Sequence, residues 1–256
     1  MIGIKRILYS SNLKQGELDI NVLNSILPIL NMGVEKIVFS SGNPDGQCMD
    51  ELKNKNIKTV LENIGKISAQ KILNSAEKNK ASLIIVNLDM QNRKSRSFGI
   101  IRKLIRNTDV PVLFIKSNDC IDGLSDKGIF SSIIFATNWT DVSERAFGYL
   151  LRLKDIIGIL DIVNVVVEKL TRGELSRLKE RLAIVRKKCL DEKIDAETHV
   201  YAGDTAEEII TAVKDYKGTM LFIGGRTRKS LFKRILKFSS SYKVVEEANV
   251  PVFIVP

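Results

Sequence analysis

Several segments of this chain recur in the same order, and that internal repeat limits the fold more than any single motif. Asp109-Val-Pro-Val-Leu-Phe-Ile-Lys in the middle answers Asn249-Val-Pro-Val-Phe-Ile-Val-Pro at the end, with Pro111 and Pro251 140 positions apart. Upstream of each lies a helical stretch, Phe98-Gly-Ile-Ile-Arg-Lys-Leu-Ile and Phe238-Ser-Ser-Ser-Tyr-Lys-Val-Val. Earlier still, Ala81-Ser-Leu-Ile-Ile-Val-Asn matches Gly218-Thr-Met-Leu-Phe-Ile-Gly, and Ser68-Ala-Gln-Lys-Ile matches Thr205-Ala-Glu-Glu-Ile. The apolar openings correspond as well, Arg6-Ile-Leu-Tyr-Ser-Ser-Asn with Ser132-Ile-Ile-Phe-Ala-Thr-Asn. The offset grows from 126 to 137 to 140, as expected of a duplication whose second copy gained residues in two places. The reading is two domains, 1–118 and 129–256, with a linker at about 119–128.

Within the second copy the pattern predicts strands near 132–137, 159–166, 195–202, 219–224 and 251–255, separated by helices. The strands flanking the helix at 204–217 are near-continuous apolar runs, the mark of strands covered on both faces. Proline opens the last strand of each copy, where no interior ladder bond is lost. Thr140-Asp-Val-Ser-Glu starts a helix with capping residues, and apolar positions 146, 149, 150 and 153 follow at helical spacing. Gly203-Asp-Thr-Ala-Glu-Glu supplies another helix start, with acids where the dipole favours them. Alternating strands and helices require right-handed parallel crossovers. The fold class is therefore α/β: two doubly wound domains, each with a parallel sheet covered by helices on both faces. Ligands of such sheets sit beyond the carboxyl ends of the strands at the switch point.

Other classes are excluded by what is missing. No apolar run reaches the roughly 20 residues that span a bilayer, so no membrane insertion is expected. The opening Met1–Tyr9 runs straight into a strand pattern without the features of a signal peptide, and the expected location is the cytoplasm. Cys48, Cys120 and Cys189 are widely spaced, which fits reduced thiols better than a metal or dithiol site. His199 is the only histidine and is expected on a strand surface. With no G-x-S-x-G beside it, no hydrolase triad can be assembled. Neither a catalytic nor a metal site is nominated.

The second copy resembles the universal stress protein family over essentially its whole length. The resemblance is carried by Ile133-Ile-Phe-Ala-Thr-Asn-Trp-Thr-Asp-Val-Ser-Glu-Arg-Ala, Val200-Tyr-Ala-Gly-Asp-Thr-Ala-Glu-Glu-Ile, Leu221-Phe-Ile-Gly-Gly-Arg and Val250-Pro-Val-Phe-Ile-Val. The first copy looks like a diverged relative with a shorter second crossover around residues 42–56. The resemblance implies an adenine nucleotide alpha-hydrolase-like fold, with five parallel strands in the order 3-2-1-4-5. It also implies pairing through the last strands, which a tandem chain can make within itself as a pseudo-dimer, leaving a homodimer open.

Nucleotide-binding members of that family carry G-x2-G-x9-G-[ST] after the fourth strand. There glycines let backbone N–H groups reach phosphate, and a hydroxyl completes the cradle at a helix N-terminus. Here the frame reads Gly225-x2-Arg228-x9-Phe238-Ser239, so only its two ends survive. The family's adenine-contacting aspartate falls on Asn138. The candidate nucleotide site is therefore Ala136, Thr137, Asn138, Gly224, Gly225, Arg226, Arg228, Ser239 and Ser240, and its ligand ATP or another adenine nucleotide. The first copy has Asn87-Leu-Asp-Met-Gln at the corresponding turn, and only Gly99 near the phosphate end, so nucleotide binding is not expected there.

Against this loss stand two basic clusters, residues 226–237 in the second copy and Arg93, Lys94, Arg96, Arg102, Lys103 and Arg106 in the first. Arginine forks match phosphate oxygens. In a chain of net charge +10 the same residues also read as solvated faces, or as the source of weak, salt-sensitive contact with nucleic acid. The leading expectation is a non-catalytic stress-response or regulatory protein with a degenerate nucleotide site. The alternative is an adenine-nucleotide sensor using the C-terminal domain only.

Overall fold

A computed structural model describes residues 3–11, 20–41, 44–89, 96–116, 119, 125–225 and 239–256. The N-terminal half runs β1 (Arg6–Ser11), α1 (Ile20–Asn31), β2 (Lys36–Ser41), α2 (Gly46–Asn54), β3 (Lys58–Leu61), α3 (Ala69–Lys78), β4 (Leu83–Leu88), α4 (Arg96–Asn107) and β5 (Val112–Lys116). The C-terminal half repeats the plan with β6 (Ser132–Ala136), α5 (Asp141–Leu150), β7 (Ile159–Val166), α6 (Arg172–Asp191), β8 (Asp195–Ala202), α7 (Thr205–Asp215), β9 (Met220–Gly224), α8 (Ser239–Glu247) and β10 (Val252–Val255). The strands of the second half fall within a residue of the positions its apolar pattern predicts. The nine-residue α2 against the twenty-residue α6 accounts for the shorter second crossover of the first half.

All ten strands join one sheet, in the order β3-β2-β1-β4-β5-β10-β9-β6-β7-β8. Each half thus has the order 3-2-1-4-5, and every neighbouring pair within a half is parallel. Among the described residues the antiparallel pair is β5 with β10, where Val112 faces Ile254 and Phe114 faces Val252. Antiparallel joining sends the carboxyl ends of the two parallel sets in opposite directions. The switch points of the two halves therefore lie at opposite ends of the sheet.

Alternation along each strand divides the core into two layers. Ile7 and Tyr9 face the layer built with α1, α2, α5 and α6, while Leu8 faces the layer built with α3, α4, α7 and α8. Each layer runs without a break across the β5–β10 seam. The inner strands β4 and β9 are buried on both faces, which is why their sequences carry almost no polar residues. Near the seam, Phe222 and Phe253 stack with centroids 4.8 Å apart, and Tyr149 of α5 packs on Phe253 at 5.7 Å.

The helices start where their capping residues stand. Thr140 caps α5, Thr171 and Glu174 form a reciprocal capping box on α6, and Asp204 accepts from the N–H groups of Ala206 and Glu207 on α7. Between the halves, Gly128 has φ +55° and presses on α1, where a Cβ would stand 2.2 Å from the Ser25 carbonyl oxygen. Only glycine permits that approach.

Candidate functional site

The site residues nominated from the sequence gather at the carboxyl ends of β6 and β9. Ala136 lies opposite Ile223 in the parallel register, so Thr137 and Asn138 leave the sheet beside Gly224 and Gly225. Thr137 is buried and fixed through its backbone. Its N–H donates to the Val163 carbonyl at 2.9 Å, and its carbonyl accepts from Nδ2 of buried Asn164 at 2.8 Å.

Asn138 is exposed, and its Oδ1 accepts from the backbone N–H of Thr140 at 3.3 Å and from the Thr140 hydroxyl at 2.8 Å. Where the family's aspartate would meet adenine, this side chain's acceptor is engaged in a local turn. That turn leads into α5 through Trp139, whose φ is +59°. A bulky residue in the left-handed region stores roughly 1–3 kcal/mol of strain, held here by packing. The indole joins the core, carries the Arg181 guanidinium 5.3 Å above its ring, and buries an Nε1 with no hydrogen-bond partner among the described residues. The sequence reading missed Trp139. Its position directly after Asn138, at the strand-to-helix turn, was the available signal.

The two glycines have steric reasons of their own. A Cβ on Gly224 would stand 3.1 Å from the backbone of Val142 and Ser143 in the first turn of α5. One on Gly225 would meet Ile254 at 2.6 Å and the Val255 carbonyl oxygen at 3.3 Å. Gly225 also donates its N–H to that oxygen at 2.6 Å, so β9 stays tied to β10 just past the strand end. Gly225 is thus set by packing before any ligand is considered, and Gly224 leaves only a tight fit for a side chain. Arg226, Arg228 and Phe238 lie outside the described residues. Ser239 and Ser240 open α8, with their side chains outside the description.

At the opposite end of the sheet, the described polar groups at the strand ends of the N-terminal half bond to one another. Buried Asn87 at the end of β4 donates to the Tyr9 hydroxyl at 3.1 Å. Ser41 donates to the Ser11 carbonyl at 2.8 Å and accepts from the Ser11 N–H at 3.0 Å, with the Ser10 hydroxyl 3.2 Å away. Ser97, at the start of α4, donates to the Asp89 carbonyl at 2.8 Å. A Cβ on Gly99 would meet nothing within 4 Å among the described residues.

Two members of the first basic cluster reach the other half. Arg106 donates through Nε to the Tyr242 hydroxyl at 2.9 Å, and Arg102 pairs with Glu246 at 3.3 Å, both on α8. These two guanidiniums join the two halves. Arg93 and Lys94 lie outside the described residues, as does the side chain of Arg96.

The remaining reactive side chains sit elsewhere. His199 is not a plain surface residue: Nε2 lies 2.8 Å from Asp161 Oδ1, and the ring stacks on Tyr216 at 3.9 Å. Alternation placed His199 on the strand, but nothing in it named the buried Asp161 of β7 as its partner. Cys48 and Cys189 are buried and form no disulfide among the described residues, and burial pushes the Cys189 thiol up to about 11, which keeps it protonated and inert. Cys120 is outside the described residues. Among the described residues no group of three His, Cys, Asp or Glu side chains could hold a metal, and no helix is long and apolar enough to cross a membrane.

Comparison with known proteins agrees with this architecture. The sequence model of the Universal stress protein family matches residues 130–256. A universal stress protein from Archaeoglobus fulgidus DSM 4304 superposes with a TM-score of 0.70 at 17% identity, covering 99% of this chain and 96% of that one. A putative universal stress protein from Pseudomonas aeruginosa UCBPP-PA14 gives 0.69 at 14% identity, covering 99% and 94%. A functionally unknown protein from Pseudomonas aeruginosa PAO1 gives 0.68 at 13%, covering 99% and 93%. The comparison with curated proteins finds no match. At these identities the solved structures speak for the fold, and the family match speaks for the second half: residues 130–256 are a universal stress protein family domain.

Proposed function

We propose that this chain is a non-catalytic stress-response or regulatory protein that acts in the cytoplasm through conformation and partner contact. The observation that carries the reading is the N-terminal switch point. There Tyr9 and Asn87 bond to each other, and so do the serines of β1 and β2, so these strand-end groups are engaged within the protein. The β5–β10 seam is read as the in-chain counterpart of pairing between two chains, a pseudo-dimer, with the outer strands β3 and β8 left as edges for a homodimer. Weak, salt-sensitive contact with nucleic acid follows from net charge alone.

A second reading is favoured by the convergence of Ala136, Thr137, Asn138, Gly224 and Gly225 at the switch point of the C-terminal half. It makes that half an adenine-nucleotide sensor, with Arg226 and Arg228 supplying side-chain contacts in place of the lost glycines. A thermal-shift titration with ATP, ADP and AMP separates the two, because a ligand that binds the native state raises the melting temperature by an amount that grows with the logarithm of its concentration above Kd. The first reading predicts no rise up to millimolar nucleotide. The second predicts a rise that continues logarithmically with concentration and that Arg226→Ala with Arg228→Ala removes. Gly225→Val is unsuitable as the loss-of-binding variant, since its side chain collides with Ile254 whether or not nucleotide binds. Steady release of phosphate from ATP, unchanged across preparations, sinks the non-catalytic reading.

A further inference from the structure

Helix α8 belongs to the C-terminal half but is gripped at its far end by the N-terminal half. Lys116, the last residue of β5, is 2% exposed and donates through Nζ to the carbonyl oxygens of Val245, at 2.9 Å, and Ala248. Carbonyls at a helix C-terminus lack intrahelical partners and stand at the negative end of the dipole, so an ammonium there satisfies both hydrogen bonding and charge. The counter-ion is Asp119, whose side chain is wholly buried 3.5 Å from the ammonium and accepts from the Lys116 backbone N–H at 2.8 Å.

Two further cations of the same half reach the same helix. Arg106 donates to the Tyr242 hydroxyl, Arg102 pairs with Glu246, and both guanidiniums lie 5.8 Å from the Tyr242 ring centroid. Within its own half α8 is tied by Lys243, which pairs with Glu207 at 2.8 Å and Asp204 at 3.6 Å on α7, and by buried Val244 and Val245. A buried lysine is costly, and leaving it without partners costs far more. Its place at the seam makes the geometry of α8 conditional on the other half.

We propose that Lys116, supported by Arg106, is an inter-half latch through which the N-terminal half sets the docking of α8. The N-terminal half then acts as a regulatory element for the other. α8 also carries Ser239 and Ser240, so a ligand at the candidate site acts on the same helix from its opposite end. That last link rests on the nucleotide reading above, whereas the latch itself stands or falls without any ligand.

Hydrogen exchange on the full chain tests it, because local opening is read amide by amide. In Lys116→Met the amides of residues 243–248 and of β10 are expected to exchange at least about tenfold faster, while β7, β8 and β3 keep the parent's rates. Unchanged exchange at 243–248 overturns the latch. Equal acceleration across β7 and β8 overturns it too, since that reports general loss of stability. Where Lys116→Met does not fold, Tyr242→Phe removes only the hydroxyl that Arg106 reaches. An acceleration of about threefold or more confined to the same amides is then expected, and its absence overturns the proposal. Repeating the measurement with ATP separates the two ideas: a latch without ligand protection leaves the inference standing and removes the nucleotide reading.

Discussion

Asp119 has a titration that its surroundings dictate. Burial pushes its carboxyl up from 3.8 to about 6, against the pull of the Lys116 ammonium, so the folded chain holds a proton there that the unfolded chain has released. The stability this contributes is complete below about pH 4 and is lost as pH rises through about 6. Glu62, Glu174, Glu192 and Asp204 are shifted down by their hydrogen-bond and ion-pair partners and slope the other way, so the contribution is read as a difference between proteins. Asp119→Asn is expected to remove it, and melting temperatures from pH 4 to 7 that keep the parent's slope would falsify the assignment. Gly224 makes a steric prediction. Gly224→Ala pushes a methyl against the backbone of Val142 and Ser143, at a cost of about 1–3 kcal/mol in urea unfolding. A variant as stable as the parent would show that α5 yields at no cost. Neither effect was legible in the sequence. Gly224-Gly225 reads there as the start of a phosphate loop, and the close contacts at the two glycines come from α5 and β10, distant in the chain.

At the scale of elements, the sequence was most legible where local chemistry decides the outcome. Strand positions in the second half, the Thr140 start of α5 and the Asp204 start of α7 all follow from apolar runs and caps written within a few residues. What it could not convey was which partner each polar side chain finds across the sheet. Arg102 and Arg106 look like a phosphate cluster because a helix face shows spacing but not its neighbour. The neighbour is α8, more than a hundred residues away. His199 hid Asp161 for the same reason. Thr140 joins the two levels, since its hydroxyl both caps α5 and donates to Asn138 Oδ1. Thr140→Ala is expected to cost about 1 kcal/mol in denaturant unfolding and to release Asn138 from its turn. Unchanged stability together with unchanged exchange in the first turn of α5 would show that the cap contributes nothing.

For the whole molecule, the repeat read from the sequence and the sheet order of the structure describe the same plan, 3-2-1-4-5 followed by its reverse across the seam. The two copies have diverged in what they do with it. In the N-terminal half the strand-end polar groups bond to one another and two α4 arginines reach α8, while the C-terminal half keeps a strand-end turn, two closely packed glycines and the family's sequence pattern. On the proposed reading the halves are unequal: one holds, and at most one binds nucleotide. Titration calorimetry of the full chain with ATP tests this most directly, because stoichiometry and turnover are read in one cell. With unequal halves, no more than one ATP per chain and no continuing heat after each injection are expected. Two ATP per chain, or a steady heat of hydrolysis, would contradict it.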